Sequence, residues 1–275
     1  MSTRRSIGML VLLLAGAATP VRGQDGGAKP LAPLPDGQPN VQGVWGPVNG
    51  GSLSLTNPVP QAADFDKTIK PLPSRIIDPP DGRPPYLPWA AALQKQQNHY
   101  YAYPMRPEHI DTQHRCIPSG VPRLFTGIPA LRIFQTTGQV VMVWDTYHAY
   151  RVIPLDGRPH VAPDVKFYMG DGRGRWEGHT LVIDTRSVKG HRLTYIGDFY
   201  SENAQIRERL TWTDADNFTY DATVTDPTVF ARPWTMRVAE RRRPNEEMWE
   251  SACYEGMTDP NKYLLKVAPP PPPAR

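Results

Sequence analysis

The most regular signal along the chain is a two-residue alternation of apolar and polar positions in its second half. Ile206, Leu210 and Trp212 share one face of a run whose other face carries Arg207, Arg209 and Thr211. Phe218, Tyr220, Ala222 and Val224 alternate with Thr219, Asp221 and Thr223. Trp234, Met236 and Val238 likewise lie opposite Thr235, Arg237 and Arg241. A period of two with one apolar face is the pattern of a half-solvated antiparallel strand. The same reading predicts strands over 130–135, 139–146, 147–154, 180–185, 193–199, 205–212, 217–225, 234–241 and 248–254. Turns fall at Thr136-Thr137-Gly138, Asp156-Gly157 and Asp214–Asn217. Two carboxylates break the alternation. Glu208 sits mid-strand among apolar residues and calls for a buried partner, whereas Glu240 lies near a strand end and is expected to reach water.

Strands in close succession, with short connections and no helical interludes, predict an all-β antiparallel meander. Enough are present to close as a lipocalin-like barrel or a flattened barrel. One N-terminal helix is predicted over 88–100, with Pro88 in its first turn and Trp89, Leu93, Gln96 and Tyr100 as its stripe. Proline makes up 32 of 275 residues, and most of it lies at or before Pro129 or in Pro269–Pro273. Such spacing excludes sheet and helix interiors. Residues 41–129 are therefore read as a proline-rich wrapping segment carrying the helix, around a β body over 130–265. Residues 24–40 are read as a disordered leader and 266–275 as a proline-rich disordered tail.

Arg4 and Arg5, an apolar run from Ile7 to Ala18, and small residues before Gly23 predict a signal peptide over 1–23. The run is short for a membrane span, so no stable insertion is expected after cleavage. The expected location is exported, periplasmic or extracellular. Of the net charge of +4, Arg4, Arg5 and Arg22 contribute three, leaving about +1 downstream. That balance, without a basic cluster interleaved with aromatics, argues against nucleic acid. Cys116 and Cys253 are the only cysteines. In an oxidising compartment such a pair favours a disulfide over a metal site.

The densest glycine cluster after the leader is Gly170-Asp171-Gly172-Arg173-Gly174-Arg175-Trp176-Glu177-Gly178. It reads as a rigid charged loop feeding the strand at Thr180. No helix follows, which excludes a phosphate loop. No G-x-S-x-G elbow, H-E-x-x-H or Walker motif is present, and the histidines lack metal-ligand spacing, so no metal or cofactor is expected. If the turns at one end of the sheet converge, a mouth forms. Arg151, Arg175, Trp176, Arg232 and Trp234 would bind ligand there, with Glu208 as a partnered carboxylate. Glu177, Asp171 and His160 would serve acid–base chemistry only in an enzyme.

The runs Asp156-Gly157-Arg158-Pro159-His160, Gly170–Thr185 and Arg232-Pro233-Trp234-Thr235, flanked by Cys116–Arg123 and Ala252–Gly256, resemble a large family of uncharacterised exported bacterial proteins. The resemblance spans about 41–265 and implies secretion and a β-rich body, with no catalytic residue to transfer. Where that family commonly carries Asp, this chain has His179. Gly43-Val44-Trp45 is also similar to the G-x-W that opens lipocalin barrels, which implies an arginine, Arg237 or Arg241, covering Trp45 from a late strand. The expected function is a secreted, lipocalin-like binding protein for a small-molecule ligand. The alternative is an exported hydrolase or lyase acting on a small polar or sugar-like substrate; a structural envelope protein is a third reading.

Overall fold

The computed structural model describes residues 29–50, 54–58, 68, 70–127, 130–147, 149–251 and 253. The expected signal peptide, the tail over 266–275 and His148 lie outside the described residues. The strands are β1 (Gly43–Pro47), β2 (Ile76–Asp78), β3 (Leu131–Thr136), β4 (Gln139–Trp144), β5 (Tyr150–Pro154), β6 (Asp171–Glu177), β7 (Thr180–Arg186), β8 (His191–Arg192), β9 (Phe199–Tyr200), β10 (Gln205–Trp212), β11 (Asn217–Thr225) and β12 (Trp234–Arg242). Nine of them pair in the order β5-β4-β3-β1-β12-β11-β10-β7-β6, each pair antiparallel, and β2 adds to β12. The two ends, β5 and β6, come together and make a nearly closed nine-strand barrel.

The alternation places the core where the pattern requires. Trp45, Val140, Met142, Trp144, Ile206, Leu210, Trp212, Phe218, Tyr220, Ala222, Val224, Trp234 and Met236 are all buried. At one end Trp45 packs edge-on against Trp212 and Phe218. Nearer the middle, Phe125 stacks on Tyr220 at 3.7 Å and meets Trp144 edge-on. Phe125 comes from the wrapping segment, so that segment supplies part of the filling of the barrel. The cation over Trp45 is Arg242, 4.3 Å from the ring, rather than Arg237 or Arg241. Trp45 and Arg242 are register partners, whereas Arg237 faces outward and pairs with Asp221.

Several expectations shift. Residues 193–199 do not form a strand; the two-residue β8 and β9 flank a turn through Gly197. From 248 onward the described residues hold a single bridge, Ser251 to Thr146. The helix α1 (Pro88–Ala102) forms, but it buries Ala90 and leaves Trp89 51% exposed. A β carbon on Gly197 would lie 2.6 Å from Gln97 Cβ, so the helix backbone rests on a glycine instead of on an aromatic stripe. Residues 33–39, read as leader, make a bridge between Pro33 and Pro39, and Gln38 accepts the Trp176 indole N–H at 2.8 Å. Glu240 is buried at 2% exposure because its strand continues two residues past it. Burial pushes its carboxyl well above the usual range, opposed by Arg243 and Arg75.

Candidate functional site: the seam between β5 and β6

The glycine cluster is a strand, not a loop. In β6 the residues Asp171, Arg173, Arg175 and Glu177 face out while Gly172, Gly174 and Trp176 face in. A loop reading follows from counting glycines; the strand follows from noticing that they fall on every second position. Gly172 and Gly174 serve close approach. A β carbon on Gly172 would lie 2.8 Å from Ile153 Cδ1, and one on Gly174 would lie 2.7 Å from Ile153 Cγ2 and 2.8 Å from Leu155 Cδ2. Positive φ is needed only at Gly170 and at Gly178, which starts the β6–β7 turn. Residues 151–155 thus step along β6 in the same chain direction, with no hydrogen-bonded ladder between the two strands. Side chains of β5 close the barrel where backbone bonds do not. Gly174→Val is accordingly expected to cost about 1–3 kcal/mol through overpacking. Denaturant unfolding checks this, and wild-type stability would mean that Ile153 and Leu155 yield freely.

At the upper part of this seam lies a cleft of about 390 Å³. Tyr150, Val152, Phe167, Tyr168 and Met169 give it an apolar and aromatic lining, and Arg151 and Asp171 add polar groups. Asp171 organises the segment that returns over β6. Its Oδ2 meets His160 Nδ1 at 2.8 Å and accepts the Val161 N–H at 3.1 Å, while Oδ1 pairs with Arg173. Arg173 also donates to the Pro159 carbonyl. Asp171 and Arg151 thus both line this cleft, and Asp171 holds His160.

Arg151 points into the barrel. Its two terminal nitrogens pair with both oxygens of Glu208 at 2.9 and 2.8 Å, and one also reaches Thr185 Oγ1 at 2.7 Å. Tyr220 donates to Glu208 at 2.9 Å. Glu208 is 0% exposed, so the partner its position demands is this arginine. Burial pushes the Arg151 guanidinium down, and Glu208 more than reverses that. Burial and then Glu208 push the Tyr220 hydroxyl well up. Among the described residues the Nε of Arg151 has no hydrogen-bond partner.

The remaining expected site residues lie elsewhere. Glu177 is at the far end of β6, about 20 Å from Asp171 at strand rise, and bonds Arg175 and Arg209 on the outer face. Hydrogen bonds from Arg209 and Arg175 hold its carboxyl below the usual range. Arg175 also pairs with Asp184, which pairs with Arg207, so these charges form a solvated ladder across β6, β7 and β10. Trp176 faces inward beside Trp212. Trp234 is wholly buried against Phe230, and Arg232 pairs with Asp78 on the outside. The expected mouth thus separates: Asp171 meets His160, Arg151 lines the same cleft from the inward face, and Glu177 cannot join them as an acid–base partner. The sequence reading missed Tyr150, Val152, Phe167, Tyr168 and Met169. A signal was present, since Tyr150 and Val152 are apolar residues on the outward face of a strand.

Cys116 and Cys253 are joined in a disulfide. Among the described residues, no helix is long and apolar enough to cross a membrane, and no group of three or more His, Cys, Asp or Glu is placed to hold a metal. No protein family matches the chain, and no curated protein sequence matches it. Among solved structures, a crystal structure of a mutant of the fluorescent protein UnaG is similar at 13% identity over 43% of this chain and 73% of that chain, with a TM-score of 0.25. That likeness carries no argument about function.

Proposed function

We propose that the protein binds a small, predominantly apolar organic molecule in the β5–β6 seam rather than deep in the barrel. The observation that carries this reading is the 390 Å³ cleft itself, within the usual range for ligand sites and lined by exposed aromatics beside one uncommitted buried donor. The middle of the barrel is taken by the Arg151–Glu208 pair, Tyr220 and Phe125. Export to the periplasm or beyond fits the disulfide.

Native mass spectrometry of purified protein and titration with Nile red test the site. Met169→Trp, which fills the cleft, is expected to weaken dye binding on the order of tenfold, the scale of a few lost apolar contacts. Unchanged binding in both Met169→Trp and Phe167→Asp would sink the seam assignment. The hydrolase or lyase reading is favoured by one contact, Asp171 to His160, which orients the imidazole as a general base requires. Turnover of a bound molecule that His160→Gln abolishes without loss of binding would establish it.

A further inference from the structure

A second cavity, of about 290 Å³, opens beside α1. It lies between the face of α1 bearing Leu93, Gln96, Gln97 and Tyr100 and the segment Arg106–His109, with Arg192 of β8 at its wall. Arg192 is 9% exposed, and its guanidinium bonds two backbone carbonyls: Nη1 donates to His109 O and Nη2 to Glu108 O, both at 3.2 Å. Among the described residues no carboxylate forms an ion pair with it. Asp111, whose charge acts on it, is already committed to Arg123 through two hydrogen bonds of 3.0 and 2.8 Å.

Most of the surrounding charge is positive. Arg106 stands exposed at the rim, and Arg115 and Arg123 lie close enough to repel the Arg192 charge. Among the described residues the Nε of Arg115 has no hydrogen-bond partner. Glu108 is the lining acid, and it is exposed. His109 stacks on Tyr100 at 3.8 Å and 10°, and its Nδ1 accepts the Met105 N–H at 3.0 Å. That bond places the proton of the neutral ring on Nε2, as a further donor.

A buried guanidinium without a counter-charge is costly, and buried charges are paired as a rule. We propose that this cavity binds a small molecule carrying an oxyanion, a carboxylate or a phosphate, which pairs with Arg192 while its body lies along Tyr100 and Leu93. Planar oxyanions suit the guanidinium fork, and phosphate offers the same bidentate edge. The site shares no lining residue with the β5–β6 cleft, so the two assignments stand or fall separately.

The test is calorimetric titration and thermal unfolding of the whole chain with benzoate and with inorganic phosphate, against sodium chloride at matched ionic strength. At least one oxyanion is expected to bind saturably and raise the unfolding temperature, while chloride does not. A response to benzoate alone assigns a carboxylate ligand, and to phosphate alone a phosphorylated one. Arg192→Gln is expected to abolish the response and Arg106→Gln, at the exposed rim, to weaken affinity on the order of tenfold. No saturable response to either anion overturns the proposal, as does unchanged affinity in Arg106→Gln should Arg192→Gln fail to fold.

Discussion

Arg151→Met is expected to lower the unfolding free energy by about 3–5 kcal/mol, since it strands a buried carboxylate without its counter-charge. The side chains of Arg151 and Glu208 are 2% and 0% exposed, and the pair is held by two bonds of 2.8 and 2.9 Å. Thr185 and Tyr220 satisfy further lone pairs of Glu208. Removing the arginine leaves those two hydroxyls facing a charge that water does not reach. Removing both charges tells a different story. Arg151→Met with Glu208→Leu is expected to recover most of the loss, because the desolvation cost disappears together with the attraction. Chemical denaturation of the two variants measures both effects. A single variant that loses less than about 1 kcal/mol, the range of exposed ion pairs, would show that water reaches this pair in solution.

The second large effect belongs to the disulfide. Cys116 and Cys253 lie 137 residues apart in sequence, so their bond closes a loop spanning most of the barrel. On the chain-entropy account a loop of that length is worth about 4–5 kcal/mol, and often less in practice. The bond has a definite structural partner. Ser251 accepts from the Tyr147 N–H and donates to Asp145 O, so the segment before Cys253 already runs beside the β4–β5 connection. The disulfide fastens the wrapping segment to that point. Cys116→Ser with Cys253→Ser, and the reduced wild type, are expected to lose stability equally. Two alkylatable thiols found without reductant would contradict the assignment.

Period-two alternation made most of this fold legible. β10 and β11 run over the expected residues, and the inward position of Glu208 was readable because one carboxylate interrupts an apolar face. What alternation cannot reveal is which strand lies beside which. The insertion of β1 between β3 and β12 is a pairing across nearly the whole chain, and it selects Arg242 over its neighbours as the cover for Trp45. The β6 stretch misled for another reason. Glycine has no side chain to signal an inward face, so Gly172 and Gly174 read as turn-formers although they are inward-facing positions of a strand. The candidate site suffered most. Arg151 and Asp171 come to line one cleft because β5 and β6 meet, an event that depends on barrel closure, and Glu177 was grouped with them through nearness in sequence alone.

The place of β1 also bears on how the molecule comes to be folded. β3–β5 and the run from β6 to β12 are each built largely from neighbouring segments, with hairpin connections of low sequence separation. Five residues, Gly43–Pro47, join the two groups by pairing with β3 on one edge and β12 on the other. Trp45 meets Arg242 across almost two hundred residues of chain. During synthesis that strand emerges first and receives its last partner only after β12 has been made. Until then the edge of β1 that takes β12 stands open, and the entropy of closing the longest loop is still to be overcome. The vulnerable interval in the life of this protein is therefore set by its earliest strand waiting for its latest.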